Sequence, residues 1–157
     1  LGLDQYLYKK TYVKNWNHMT PEELHEITIN KGNKKRKDIK PERISYIIEE
    51  VGYWRKFNAL HNWFVMNCQN GDDDCGEHYV SEEQLKELLE TLNKVKEFKS
   101  DPINEELRNL LPTQSGFFFG GTEYDEYYFD EVERTIEMIS ELLTEEGSGD
   151  FYYNSSW

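Results

Sequence analysis

The 157-residue sequence predicts an α+β fold, a mainly antiparallel sheet with about three helices packed on it, in one domain spanning residues 1–157. Three observations carry the prediction. Side chains alternate at period two near both ends of the chain, apolar residues recur at helical spacing between them, and 8 Phe, 11 Tyr and 4 Trp make up 15% of the residues. A net charge of −13 and a mean hydropathy of −0.87 would suit a disordered chain, but disordered chains are poor in aromatics. At this length, folding hides about two-thirds of the unfolded surface, enough for one core.

The opening run sets Leu3, Gln5, Leu7 and Lys9 against Asp4, Tyr6, Tyr8 and Lys10, then adds Thr11 and Val13, a strand pattern. After a loop through Trp16 and Pro21, alternation resumes from His25 to Ile29. Asn30-Lys31-Gly32-Asn33 is turn chemistry, so a hairpin returning along Lys35 to Ile39 is expected. Arg43 to Ile48 suits either a strand or a helix start. From Glu49 to Cys68 the spacing of Val51, Trp54, Asn58, His61 and Val65 predicts a helix, with Tyr53, Phe57, Leu60 and Phe64 as an adjacent stripe. A loop from Asn70 to Gly76 follows. Ser81 with Gln84 three residues on is an N-cap arrangement, opening a helix expected to turn Leu85, Leu88, Leu89, Leu92, Val95 and Phe98 inward. Pro112 to Gly121 predicts a short aromatic strand closed by glycines. From Asp125 a third helix aligns Phe129, Val132, Ile136, Ile139 and Leu143, and Asp150 to Asn154 predicts a last strand.

Charge is uneven along the chain. Residues 1–40 hold nine basic against five acidic residues, and residues 101–157 hold fourteen acidic against two basic. Contact with nucleic-acid backbones depends on Lys and Arg displacing counterions, so general nucleic-acid binding is not expected. An anionic membrane is disfavoured on the same ground, and no apolar run approaches the roughly 20 residues of a membrane span. Two cysteines, Cys68 and Cys75, are too few for a disulfide framework, and no signal-like segment precedes the first strand pattern. A cytoplasmic location is the expectation.

Three runs resemble an uncharacterised family of small bacteriophage-encoded proteins: Gly2-Leu3-Asp4-Gln5-Tyr6-Leu7; Tyr53-Trp54-Arg55-Lys56 continuing through Asn58, His61, Trp63 and Phe64; and Leu111-Pro112-Thr113 through Ser115-Gly116-Phe117-Phe118-Phe119-Gly120 to Tyr124-Asp125-Glu126-Tyr127-Tyr128-Phe129. The resemblance covers most of the chain and brings no activity or site residues with it. What it implies is context, an accessory phage protein acting in the bacterial host cytoplasm, where interference with host defence is the expected role.

Two constellations are candidates for a site. On a helix, Trp54, Asn58 and His61 would share a face with Arg55 beside them: Trp54 for stacking, Arg55 and Lys56 for phosphate or carboxylate, Asn58 and His61 for a base edge. The competing reading makes Trp54 core and pairs Arg55 with Glu49 or an acidic residue of the C-terminal third. The second constellation surrounds Gly116, Gly120 and Gly121, with Ser115, Phe117, Phe119, Thr122 and Tyr124 as a pocket wall or, alternatively, a buried strand and turn. No Lys follows the glycines, so this is no phosphate-binding P-loop.

Asp72-Asp73-Asp74 with Cys75, Glu77 and His78 lacks the spacing of zinc or calcium sites and reads as a solvated turn; no metal or cofactor is expected. A nucleophile set could be assembled from Ser115, His61 and Asp125, yet no Gly-x-Ser-x-Gly elbow or His-Glu-x-x-His is present, so binding is favoured over catalysis and no catalytic residue is assigned. The leading expectation is a protein that sequesters a small anionic nucleotide-type ligand, such as a cyclic oligonucleotide signal. A homo-oligomer would double its few cations. The alternatives are an acidic nucleic-acid mimic that inhibits a host defence protein, and a hydrolase of a nucleotide signal.

Overall fold

The computed structural model describes residues 2–157. In chain order the elements are β1 (Asp4–Tyr12), β2 (Asn30–Lys31), β3 (Lys34–Lys35), β4 (Tyr46–Arg55), α1 (Asn58–Cys68), β5 (His78–Val80), α2 (Glu82–Lys96), α3 (Glu105–Leu110), α4 (Glu126–Thr144) and β6 (Asp150–Ser156). The main sheet is antiparallel throughout, ordered β4-β1-β6-β5, and β2-β3 form a separate ribbon, so the α+β class holds. Gln5, Leu7, Trp54, Phe151 and Tyr153 point to the buried face. Burying each large apolar side chain contributes about 1.5–3 kcal/mol, and the aromatic members also meet as rings, Phe64 of α1 stacking on Tyr153 at 4.0 Å between centroids.

The helices α2 and α4 follow from their patterns. Ser81 and Gln84 close a reciprocal capping box, and Leu85, Leu88, Leu92 and Val95 are fully buried along one stripe. In α4 the Asp125 side chain caps Tyr128 N–H, with Phe129, Val132, Ile139 and Leu142 buried. The hairpin at the basic tip is shorter than expected, two residues a side around Gly32-Asn33, both at positive φ.

The helix expected from Glu49 begins instead at Asn58. Residues 46–55 pair with the whole length of β1, and a bulge sets Leu7 opposite Gly52 but Tyr8 opposite Glu50, leaving Val51 as the extra residue. The three-and-four spacing of Val51, Trp54 and Asn58 therefore does not mark one helical face: the first two lie on a strand. The segment from Pro112 to Gly121 is no strand either but an irregular loop. Two short elements, β5 and α3, had no visible pattern.

Candidate functional site

One side chain, that of Asn58, makes three hydrogen bonds to the loop at residues 113–124, beside those from Leu3 N–H to Phe118 O and from Thr113 to Tyr124 and Thr122. Gln5 brackets the start of α1, accepting from Phe57 N–H at 2.9 Å and donating to Phe57 O at 3.1 Å. This aims Asn58, 3% exposed, into the loop. Its Nδ2 donates to Phe119 O at 3.1 Å and Gly121 O at 2.8 Å, while Oδ1 accepts from Gln114 N–H at 2.9 Å. Asn58 thus supplies the pairing that a neighbouring strand would have supplied, and is not open to a ligand's base edge. Two glycines fit the loop closely. A Cβ on Gly116 would stand 2.5 Å from the Phe119 ring, and Gly120, at φ +87°, has Lys56 Cβ 3.1 Å from where its own Cβ would be.

On one side of this loop lies a cleft of about 490 Å³, with His61, Asp73, Ser115, Phe117, Phe119 and Trp157 in its wall. Its floor is a hydrogen-bonded chain. His61, 1% exposed, meets Tyr153 Oη through Nδ1 at 2.7 Å and Asp73 Oδ2 through Nε2 at 2.9 Å. Asp73 Oδ1 accepts from Trp157 Nε1 at 3.0 Å. Burial pushes the Tyr153 phenol well above its ordinary pKa, so it keeps its proton, and because a carboxylate only accepts, Nε2–H faces Asp73. Both imidazole nitrogens are engaged. The rim is apolar and open: Phe117 is 84% exposed, and Met66 and Trp157 are more than half exposed.

On the other side is a hollow of about 440 Å³ whose lining includes Arg55, Lys56, Gly121, Glu123, Asp125 and Tyr127. Arg55 pairs with Asp4 at 2.7 Å, and its carbonyl accepts from the Tyr127 hydroxyl. Hydrogen bonds from Tyr53 and then Arg55 hold the Asp4 carboxyl below its ordinary pKa. Lys56 has φ +56°, a left-handed backbone that a β-carbon resists. Arg55 is paired with Asp4, and Glu123 and Asp125 share the lining, so the hollow is not strongly positive.

The expected site residues therefore divide. His61, Ser115, Phe117 and Phe119 share the first cleft; Arg55 and Lys56 share the second hollow with the buried Asn58 between them. Thr122 and Tyr124 line a third depression, where the Arg108 guanidinium lies 4.7 Å from the Tyr124 ring centre. Trp54 is a correction: it is fully buried on β4, its Nε1 donating to Thr135 Oγ1 at 2.8 Å, and has no face for a ligand. Ser115 and Asp125 open onto different hollows, and Asp125 caps α4, so the Ser115, His61 and Asp125 set does not assemble. Asp73 and Trp157 are site residues that the sequence does not mark. Nothing local marked them, since Asp73 sits in an acidic turn and Trp157 follows the last strand.

Among the described residues no three His, Cys, Asp or Glu side chains converge as metal ligands, both cysteines are free thiols, and no helix is long and apolar enough to cross a membrane. No family model, curated protein or solved structure matches the chain.

Proposed function

We propose that this chain is a non-enzymatic binding protein that takes the ring of a small nucleotide-type ligand into the cleft between Phe117 and Trp157. The observation that carries the reading is the pair of exposed rings lining one cleft over a polar floor, an arrangement suited to stacking a flat heterocycle. A volume of about 490 Å³ lies within the range of small-molecule sites, roughly 300–1,000 Å³. Ser115 and the Gln114 side chain supply donors and acceptors at the wall. No Lys or Arg lines this cleft, and Arg55 and Lys56 open onto the hollow on the far side of the loop, so the ring supplies most of the affinity and the phosphate a smaller share. Both His61 nitrogens are occupied, which supports retention over turnover. The resemblance to phage-encoded proteins makes a defence signal of the host the ligand class in view, withdrawn by sequestration.

Thermal shift against cyclic and linear nucleotides and their nucleosides tests this. At a hundredfold excess over Kd, a bound ligand stabilises by about 2.7 kcal/mol, a rise in midpoint of roughly 5–10 °C at this chain length. Chromatography should return the ligand intact. No stabilisation by any member of the panel sinks the proposal, and loss of ligand with time would favour the hydrolase.

A second reading has one specific observation behind it. Glu126, Asp130, Glu133, Glu137 and Glu141 are all exposed on α4 at spacings of three and four, a carboxylate stripe of the kind that could stand in for phosphates before a basic channel. Binding of a host partner that survives about 0.5 M salt unchanged would argue against it.

A further inference from the structure

The sheet has a second face, and no helix covers it. Cross-strand register places seven of the eleven tyrosines there: Tyr6, Tyr8 and Tyr12 on β1, Tyr46 and Tyr53 on β4, Tyr79 on β5 and Tyr152 on β6. They meet in pairs, Tyr6 with Tyr53 at 5.3 Å, Tyr12 with Tyr46 at 5.0 Å, and Tyr79 with Tyr152 at 5.8 Å between ring centres. Four strands about 4.8 Å apart, β4, β1 and β6 of 10, 9 and 7 residues and β5 of 3, make a platform about 15 Å across and, over the first three, about 23 Å long, room for an extended segment of six or seven residues. Tyrosine offers large, rigid contact area at little entropic cost, which is why interfaces are rich in it.

The charges on this face say what it would accept. Asp4, Glu50, Asp150 and the neighbouring Glu77 are acidic, against Lys10 and Arg55, which are themselves paired with Glu77 and Asp4. Among the described residues no ion pair engages Glu50 or Asp150. The face already holds one cation in the manner an incoming one would use: the Lys10 ammonium sits 4.5 Å from the centre of the Tyr152 ring. A nucleic acid would also find rings to stack on, but its phosphates would meet the surplus of carboxylates. We propose that the open tyrosine face is a docking surface for an arginine-rich protein segment, whose guanidinium groups lie flat on the rings and pair with Glu50 and Asp150. This surface is separate from the Phe117–Trp157 cleft and does not depend on it.

The probe is fluorescein-labelled octa-arginine, with octa-lysine and oligo-uridine as comparisons, titrated into the full chain by anisotropy. The wild type should bind octa-arginine at least tenfold more tightly than octa-lysine, and oligo-uridine not at all. Replacing Tyr8, Tyr46 and Tyr79 by Thr keeps the charge and the strand preference, and should weaken octa-arginine at least tenfold and abolish the preference over lysine. Equal binding by the triple variant would mean general attraction to an acidic protein and would overturn the proposal, as would tighter binding of oligo-uridine. Amide shift mapping on the wild type answers even where the variant unfolds. Shifts confined to β1, β4, β5 and β6 support the face; shifts confined to α4 place the peptide on the carboxylate stripe and refute it.

Discussion

Asn58 concentrates at one residue what the loop at 113–124 needs. Its amide satisfies three backbone groups across more than fifty positions of chain, so Asn58→Ala leaves Gln114 N–H and the carbonyls of Phe119 and Gly121 without their partner. A loss of about 2–3 kcal/mol in urea unfolding is expected, because part of the freed loop regains water. Asn58→Asp keeps the acceptor but turns oxygen toward two carbonyl oxygens, and should cost at least as much. A second residue-scale outcome concerns the thiols. Burial, with Glu87 nearby, pushes the Cys68 thiol up to about 12, so it should remain unalkylated by iodoacetamide at pH 8 in native protein and react once unfolded, as read by peptide mass mapping. Asp4 gives the pH dependence. Its folded pKa lies below the ordinary 3.8, held there by Tyr53 and Arg55, so the stabilisation is whole above that value and is lost as pH falls through the folded pKa. The stability difference between wild type and Asp4→Asn should therefore shrink between about pH 5 and pH 2.

Where β4 turns into α1, the element scale shows both a strained residue and the reason the sequence misled. Lys56 holds a left-handed backbone with its side chain packed over Gly2 and Gly120. Lys56→Gly should relieve that strain and stabilise the fold by about 1 kcal/mol, net of glycine's greater unfolded freedom and of the packing it gives up. The sequence made α2 and α4 legible because each buries a single stripe at helical period, and β1 and β6 legible because each has one buried face. It concealed β4 because residues 46–50 are exposed on both faces and the bulge at Val51 interrupts alternation, so no period of two survives to be read. The aromatic run from Pro112 to Gly121 reads as a strand because the bonds that two of its carbonyls and one N–H make to Asn58, distant in sequence, leave no local pattern.

The whole molecule divides its surface by chemistry: an acidic stripe on α4, an open tyrosine sheet, and an aromatic cleft beside the 113–124 loop. Residue type groups Trp54, Arg55, Lys56, Asn58 and His61 as ligand-binding side chains, whereas the fold buries Trp54 and divides the others between the two hollows flanking that loop. It gives Arg55, Asn58 and His61 structural bonds and adds Asp73 and Trp157, whose proximity depends on the last strand lying beside β1. The net charge of −13 has a consequence at this scale too. If rings dominate recognition, nucleotide affinity should change less than about threefold between 0.05 and 0.3 M salt, whereas a site built on phosphate contacts would lose far more, since screening shortens from roughly 14 to 6 Å. The most direct test of the central claim is isothermal titration of the full chain with cyclic and linear nucleotides, repeated with Phe117→Ala and Trp157→Ala together. Saturable one-to-one binding that falls at least tenfold in the double variant, with its fold intact by circular dichroism, is the predicted result; no binding by wild type, or equal binding by the variant, would contradict it.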